Sequence, residues 1–145
     1  MKVPNWAQDL TLKTLLYLES KGYQIEIPDI KWRHCPHNYG TSGICYQHNH
    51  ITISAGKNRK EQRLVLLHEI AHWVLPDKEH HGDKFWTLAF ELYKWQGLSM
   101  RYCVNRESLS NTRYPRSKTR LIKISKVMGD RAKLIGYHRE YNINW

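Results

Sequence analysis

Residues 66–75 read LLHEIAHWVL, and the reading of this stretch decides the fold around it. Two histidines and a glutamate stand in an otherwise apolar segment. Burying a neutral polar side chain without a partner costs roughly 2–7 kcal/mol, so a partner is expected. His68 and His72 are four residues apart. On a helix that spacing sets both imidazoles on one face, one turn above the other, within reach of a single ion. Glu69 then lies beside the ion rather than on it, where a base can take a proton from water activated there. The pattern H-E-x-x-H therefore predicts a helix that binds one catalytic zinc ion, and coordination offsets the burial. The competing reading is a helix with partly exposed histidines and a surface glutamate.

Outward from the motif, Asn58 is a helix cap and Glu61 stands three residues later, a loose capping box. The metal helix should run over residues 60–75, where Pro76 ends it. The loop PDKEHHG leads to a second long helix beginning near Gly82 or Asp83. Phe85, Leu88, Ala89, Leu92 and Trp95 mark its buried stripe and Gly97 its end. Upstream, residues 5–22 carry apolar positions at helical spacing and stop at Gly22. IEI at 25–27 and residues 30–34 are strand candidates separated by Pro28-Asp29, and CPHNYGTSG is a loop by composition. Residues 44–47 and 51–54 flank His48-Asn49-His50 and predict a hairpin or one bent strand. Beyond Ser99, residues 121–127 and 132–137 flank MGDR and predict a second hairpin.

These elements define an α+β fold. A small mixed or antiparallel sheet of three or four strands packs on an N-terminal helix and on two long helices carrying the site. Residues 1–98 form the domain, and residues 99–145 a basic C-terminal extension that can pack on it.

A catalytic zinc takes three protein ligands and leaves a fourth position for water. The third ligand has two candidates. His81, or its neighbour His80, stands at the entrance to the second long helix; Glu91 lies 19 residues after His72 on that helix, a spacing that suits a carboxylate ligand. A denser group, His34, Cys35, His37, Cys45, His48 and His50, crowds into 17 residues. Its spacing matches no regular zinc finger, and ordinary strand and loop residues account for it.

The segments GICYQHNHITIS, LLHEIAHWVL and HHGDKFW together resemble the SprT-like zinc metallopeptidases and the related WLM group. In that family a strand ending in an I-x-I/L-S pattern precedes the metal helix, and an H-G-x-x-F motif supplies the third histidine. His81-Gly82-Asp83-Lys84-Phe85 matches that motif residue for residue. The resemblance covers residues 32–95 and favours His81 over Glu91. It also places Gly43 and Cys45 at a small strand entry. Many members add a C-terminal zinc ribbon of paired C-x-x-C motifs, which this chain lacks.

The resulting expectation is a zinc-dependent endopeptidase in which His68, His72 and His81 hold one Zn2+ and Glu69 is the general base. Ile51, Thr52, Ile53 and Ser54 would pair with an extended protein or peptide substrate by backbone hydrogen bonds. His80, Tyr93 and Tyr102 are candidates for a second oxyanion stabiliser. The alternative is a catalytically silent zinc-fold nucleic-acid-binding or virion structural protein. A regulatory peptidase that cleaves a repressor shares the same chemistry.

Composition limits the setting. Hydrophobic content of 41% and charged content of 25% are those of a globular domain. Three cysteines cannot all pair within one chain, which favours a reducing compartment. No apolar run reaches signal-peptide or membrane-span length, so a cytoplasmic location is expected, with nucleoid, nucleus or virion association also compatible. Of the net charge of +10, residues 99–145 hold 11 Lys or Arg against 3 Asp or Glu, a balance of +8. That asymmetry admits nucleic acid as a partner and equally a solvated surface. Trp73, Trp86 and Trp95 fall at helical positions and read as core or site walls.

Overall fold

The computed structural model describes residues 2–34, 43–47, 49–55, 58–109 and 118–134. Within them the chain is α+β. The elements are α1 (Asn5–Ser20), β1 (Asp29–His34), β2 (Gly43–Tyr46), β3 (His50–Ala55), α2 (Arg59–Val74), a 3-10 turn (Asp77–Glu79), α3 (Asp83–Trp95), α4 (Met100–Leu109) and α5 (Lys118–Leu134). The chain divides into two compact units, one through His80 and one from His81 onward.

In the first unit, α1 follows Pro4, whose carbonyl accepts from the amides of Ala7 and Gln8. It buries Ala7, Leu10, Thr11, Thr14, Leu15 and Leu18, a stripe at helical period. The two buried threonines donate their hydroxyls to the carbonyls of Ala7 and Leu10, at 2.8 and 2.6 Å. Gly22, at φ +95°, ends the helix as expected. Residues 25–27 are not a strand. Ile27 is 71% exposed, and Pro28, which has no backbone donor, stands between this stretch and β1.

Three strands make a mixed sheet in the order β1-β3-β2. β3 runs parallel to β1 and antiparallel to β2, so the hairpin reading of residues 44–54 holds. By register Trp32, Gly43, Cys45, Ile51 and Ile53 share one face, and Ile51 and Ile53 on it are fully buried. That face packs on α2, and α1 packs on α2 as well. α1 also reaches the sheet through Trp6, whose ring meets Trp32 edge to face at 5.7 Å.

The central helix α2 is capped by Asn58, whose side chain accepts from the Glu61 amide at 2.9 Å. Residues 63–71 are buried without interruption. A helix buried all round is a core helix rather than a surface one, which explains why its histidines sit among leucines.

The described residues of the second unit are mainly helical. α3 starts at Gly82, buries the expected stripe of Phe85, Leu88, Ala89, Leu92 and Trp95, and ends at Gly97, φ +74°. α4 and α5 pack on α3 and on each other. Ser99 accepts from the Tyr102 amide to start α4, which buries Cys103, Val104 and Glu107. The hairpin expected from strands at residues 121–127 and 132–137 is corrected: residues 118–134 are one helix, and residues 135–137 lie outside the described residues. The alternation in LIKISKV suggested a strand, but the buried positions are Leu121, Ser125 and Met128, a helical spacing. No described helix is long and apolar enough to cross a membrane.

Candidate metal centre

α2 and the start of the second unit carry the three histidines that the motifs single out. His68 is 8% exposed, His72 half-buried and His81 exposed. Each offers one ligand nitrogen, and these atoms all lie within 4.8 Å of one another. They are therefore placed to hold a metal ion. The rings of His68 and His72 meet at 5.1 Å and 65°, as the one-turn offset on α2 requires.

His81 is oriented by its own unit. Its ring stacks on Trp86 at 5.4 Å and 25°, and meets Phe85 edge on at 5.0 Å and 85°. Both aromatics are buried, so they form a fixed wall behind the imidazole. The residue before it, His80, has φ +39°. A left-handed conformation is costly for any residue with a Cβ and tends to mark a constrained site.

Glu69 is 6% exposed, and its Oε1 stands 4.0 Å from His68 Nε2. The carboxylate thus lies beside the histidine group without belonging to it. β2 closes over this part of α2. A Cβ added to Gly43 would stand 2.8 Å from Val65 Cγ1, 2.9 Å from Glu69 Cγ and 3.2 Å from Glu69 Oε1. Only glycine lets the strand approach so near the carboxylate. Farther along, the side-chain amide of Gln47 donates to the carbonyl of His72 and, at 3.1 Å, to that of Leu75.

Other expected residues fall elsewhere. Glu91 is half-buried on α3 and is not in the group that converges. Tyr93 is fully buried and donates its hydroxyl to Glu107 at 3.1 Å, which commits it to the helical core rather than to an oxyanion. Tyr102 is half-buried on α4. Ile51, Thr52, Ile53 and Ser54 lie in the middle strand, with β1 on one side and β2 on the other. Both backbone edges of β3 are occupied, so a substrate strand cannot add to it; among the described residues the outer edges belong to β1 and β2. Of the denser Cys and His group, Cys35, His37 and His48 lie outside the described residues. Cys45 is half-buried, and His50 stacks on Tyr46 at 4.5 Å.

Gly43 and Gln47 have no role at the site that the residues alone would assign. Gly43 carries a faint signal as a small residue at a strand entry. Gln47 carries none, because its partners lie 25 and 28 residues away. Set against family models, curated proteins and solved structures, the chain matches none of them.

Proposed function

We propose that the chain is a zinc-dependent metallopeptidase of SprT-like type that hydrolyses peptide bonds with Glu69 as general base. The observation that carries this reading is the convergence of His68, His72 and His81 with a buried carboxylate beside them. Three neutral imidazoles are a donor set that suits zinc and leaves a coordination position open. A zinc ion held there supplies Lewis-acid chemistry, polarising a carbonyl and bringing the acidity of water near neutral pH. Glu69 takes the proton as water attacks the scissile carbonyl and passes it to the leaving amine. Burial of Glu69 and the closeness of Gly43 keep that carboxylate in one place. A silent zinc fold would have no use for a base, so the retained glutamate favours the enzyme.

The substrate is an extended protein or peptide segment, and the described sheet offers its outer edges for pairing. Nucleic acid is a second partner in this reading, contacted through the basic residues of 99–145. An odd number of cysteines, three, fits a reducing, cytoplasmic setting.

The test pairs metal analysis with cleavage. The purified protein should carry about one zinc per chain and degrade an unfolded protein substrate. Glu69→Gln should keep the zinc and lose hydrolysis by at least about 100-fold, the usual contribution of a positioned base. Undiminished cleavage in that variant would remove Glu69 from the mechanism.

A further inference from the structure

The end of α2 is unusual in how its carbonyls are satisfied. The last four carbonyls of a helix have no partner within it. Many helices meet this need with a glycine in the left-handed region just past the end, as α1 and α3 do at Gly22 and Gly97. α2 cannot. Its C-cap, Leu75, is extended at φ −96° and ψ 152°, and Pro76 follows with no amide to donate. The donor comes instead from the turn between β2 and β3. Gln47 places one side-chain amide on the carbonyls of both His72 and Leu75.

The two carbonyls are not arbitrary ones. His72 is the second metal-ligand candidate, and Leu75 is where the chain leaves the helix toward His81. From Leu75 the path is short: Pro76, one 3-10 turn, then His80 at φ +39°. We infer that Gln47 is a positioning residue of the metal centre: by clamping the carbonyls of His72 and Leu75 it holds the last turn of α2, and with it His72, in place. It touches neither metal nor substrate. The inference rests on the reading of the three histidines as a metal site, not on peptidase activity.

The test is zinc affinity of the full chain, measured by competition with a chromophoric chelator. Gln47→Met removes the donor at similar volume and should weaken zinc binding about tenfold, in the range for residues that orient ligands. The same substitution in a His72→Ala background should cost no more than about twofold, because the ligand it positions is gone. Gln47→Asn retains an amide but is one methylene too short to reach both carbonyls, and should also lose affinity. It serves as the second variant if Gln47→Met does not fold. Unchanged affinity in both variants would overturn the inference. So would an equal loss with and without His72, which would make Gln47 an ordinary helix cap. If the unmodified chain takes up no zinc, the metal reading falls and this inference with it. If it takes up zinc but cleaves nothing, only the peptidase reading falls, and the variant affinities still decide the role of Gln47.

Discussion

A methyl group at position 43 has nowhere to go. It would meet Val65 at 2.8 Å and Glu69 at 2.9 Å, distances that real side chains do not adopt. The backbone there is not left-handed, since the described glycines with positive φ are Gly22 and Gly97. Gly43→Ala is therefore a test of space alone, free of backbone strain. Either β2 lifts from α2 or the Glu69 carboxylate moves, and overpacking of this kind costs about 1–3 kcal/mol. The expected outcome is a lowered denaturant midpoint together with a reduced kcat. Val65→Ala in the same chain should restore part of both, because Val65 Cγ1 is the nearest obstacle. An alanine variant as stable and active as the parent would mean that the close approach has no bearing on Glu69.

At the scale of elements, helices with local punctuation were legible and those without it were not. α2 and α3 had Asn58, Pro76, Gly82 and Gly97 at their ends, and the structure puts the boundaries there. α5 had no such signals: its sequence alternates, and Gly129 reads as a turn until packing on α3 makes it part of a helix. The centrality of β3 was equally hidden. Strand order depends on pairing between distant residues, and the I-T-I-S pattern is the same on an edge as in the middle. The pairing of His68 and His72 was legible because i, i+4 spacing is a local property, whereas the amide of Gln47 acts across 25 residues. α5 also gives the charge asymmetry a place. Lys118, Lys123 and Lys126 are exposed, and Leu121, Ser125 and Met128 are buried on the other side. Should this face bind nucleic acid, affinity for duplex DNA will fall as salt rises. Replacing the three lysines by glutamine should then flatten the log–log slope by about 2–3, near one unit for each phosphate no longer neutralised. An unchanged slope would assign the charge to solvation.

For the whole molecule, metal binding and stability are linked. An ion that binds the folded chain and not the unfolded one adds RT ln(1 + [L]/Kd), about 2.7 kcal/mol at a free concentration of 100 times Kd. For a chain of 145 residues that energy raises Tm by about 9 °C. Net charge complicates the measurement, because a chain at +10 responds to any added anion. The zinc experiment should therefore hold the counter-ion fixed and compare zinc with magnesium, which prefers oxygen ligands and has no affinity for a set of three imidazoles. Zinc should raise Tm and a chelator should return it to the starting value, while magnesium should do neither. His72→Ala should abolish most of the response by removing one of the three ligands, and Glu69→Gln should leave it intact because the carboxylate stands beside the ligand group. A zinc response that survives His72→Ala would place the ion elsewhere in the chain, and the histidines within 4.8 Å of one another would then be a packing arrangement only.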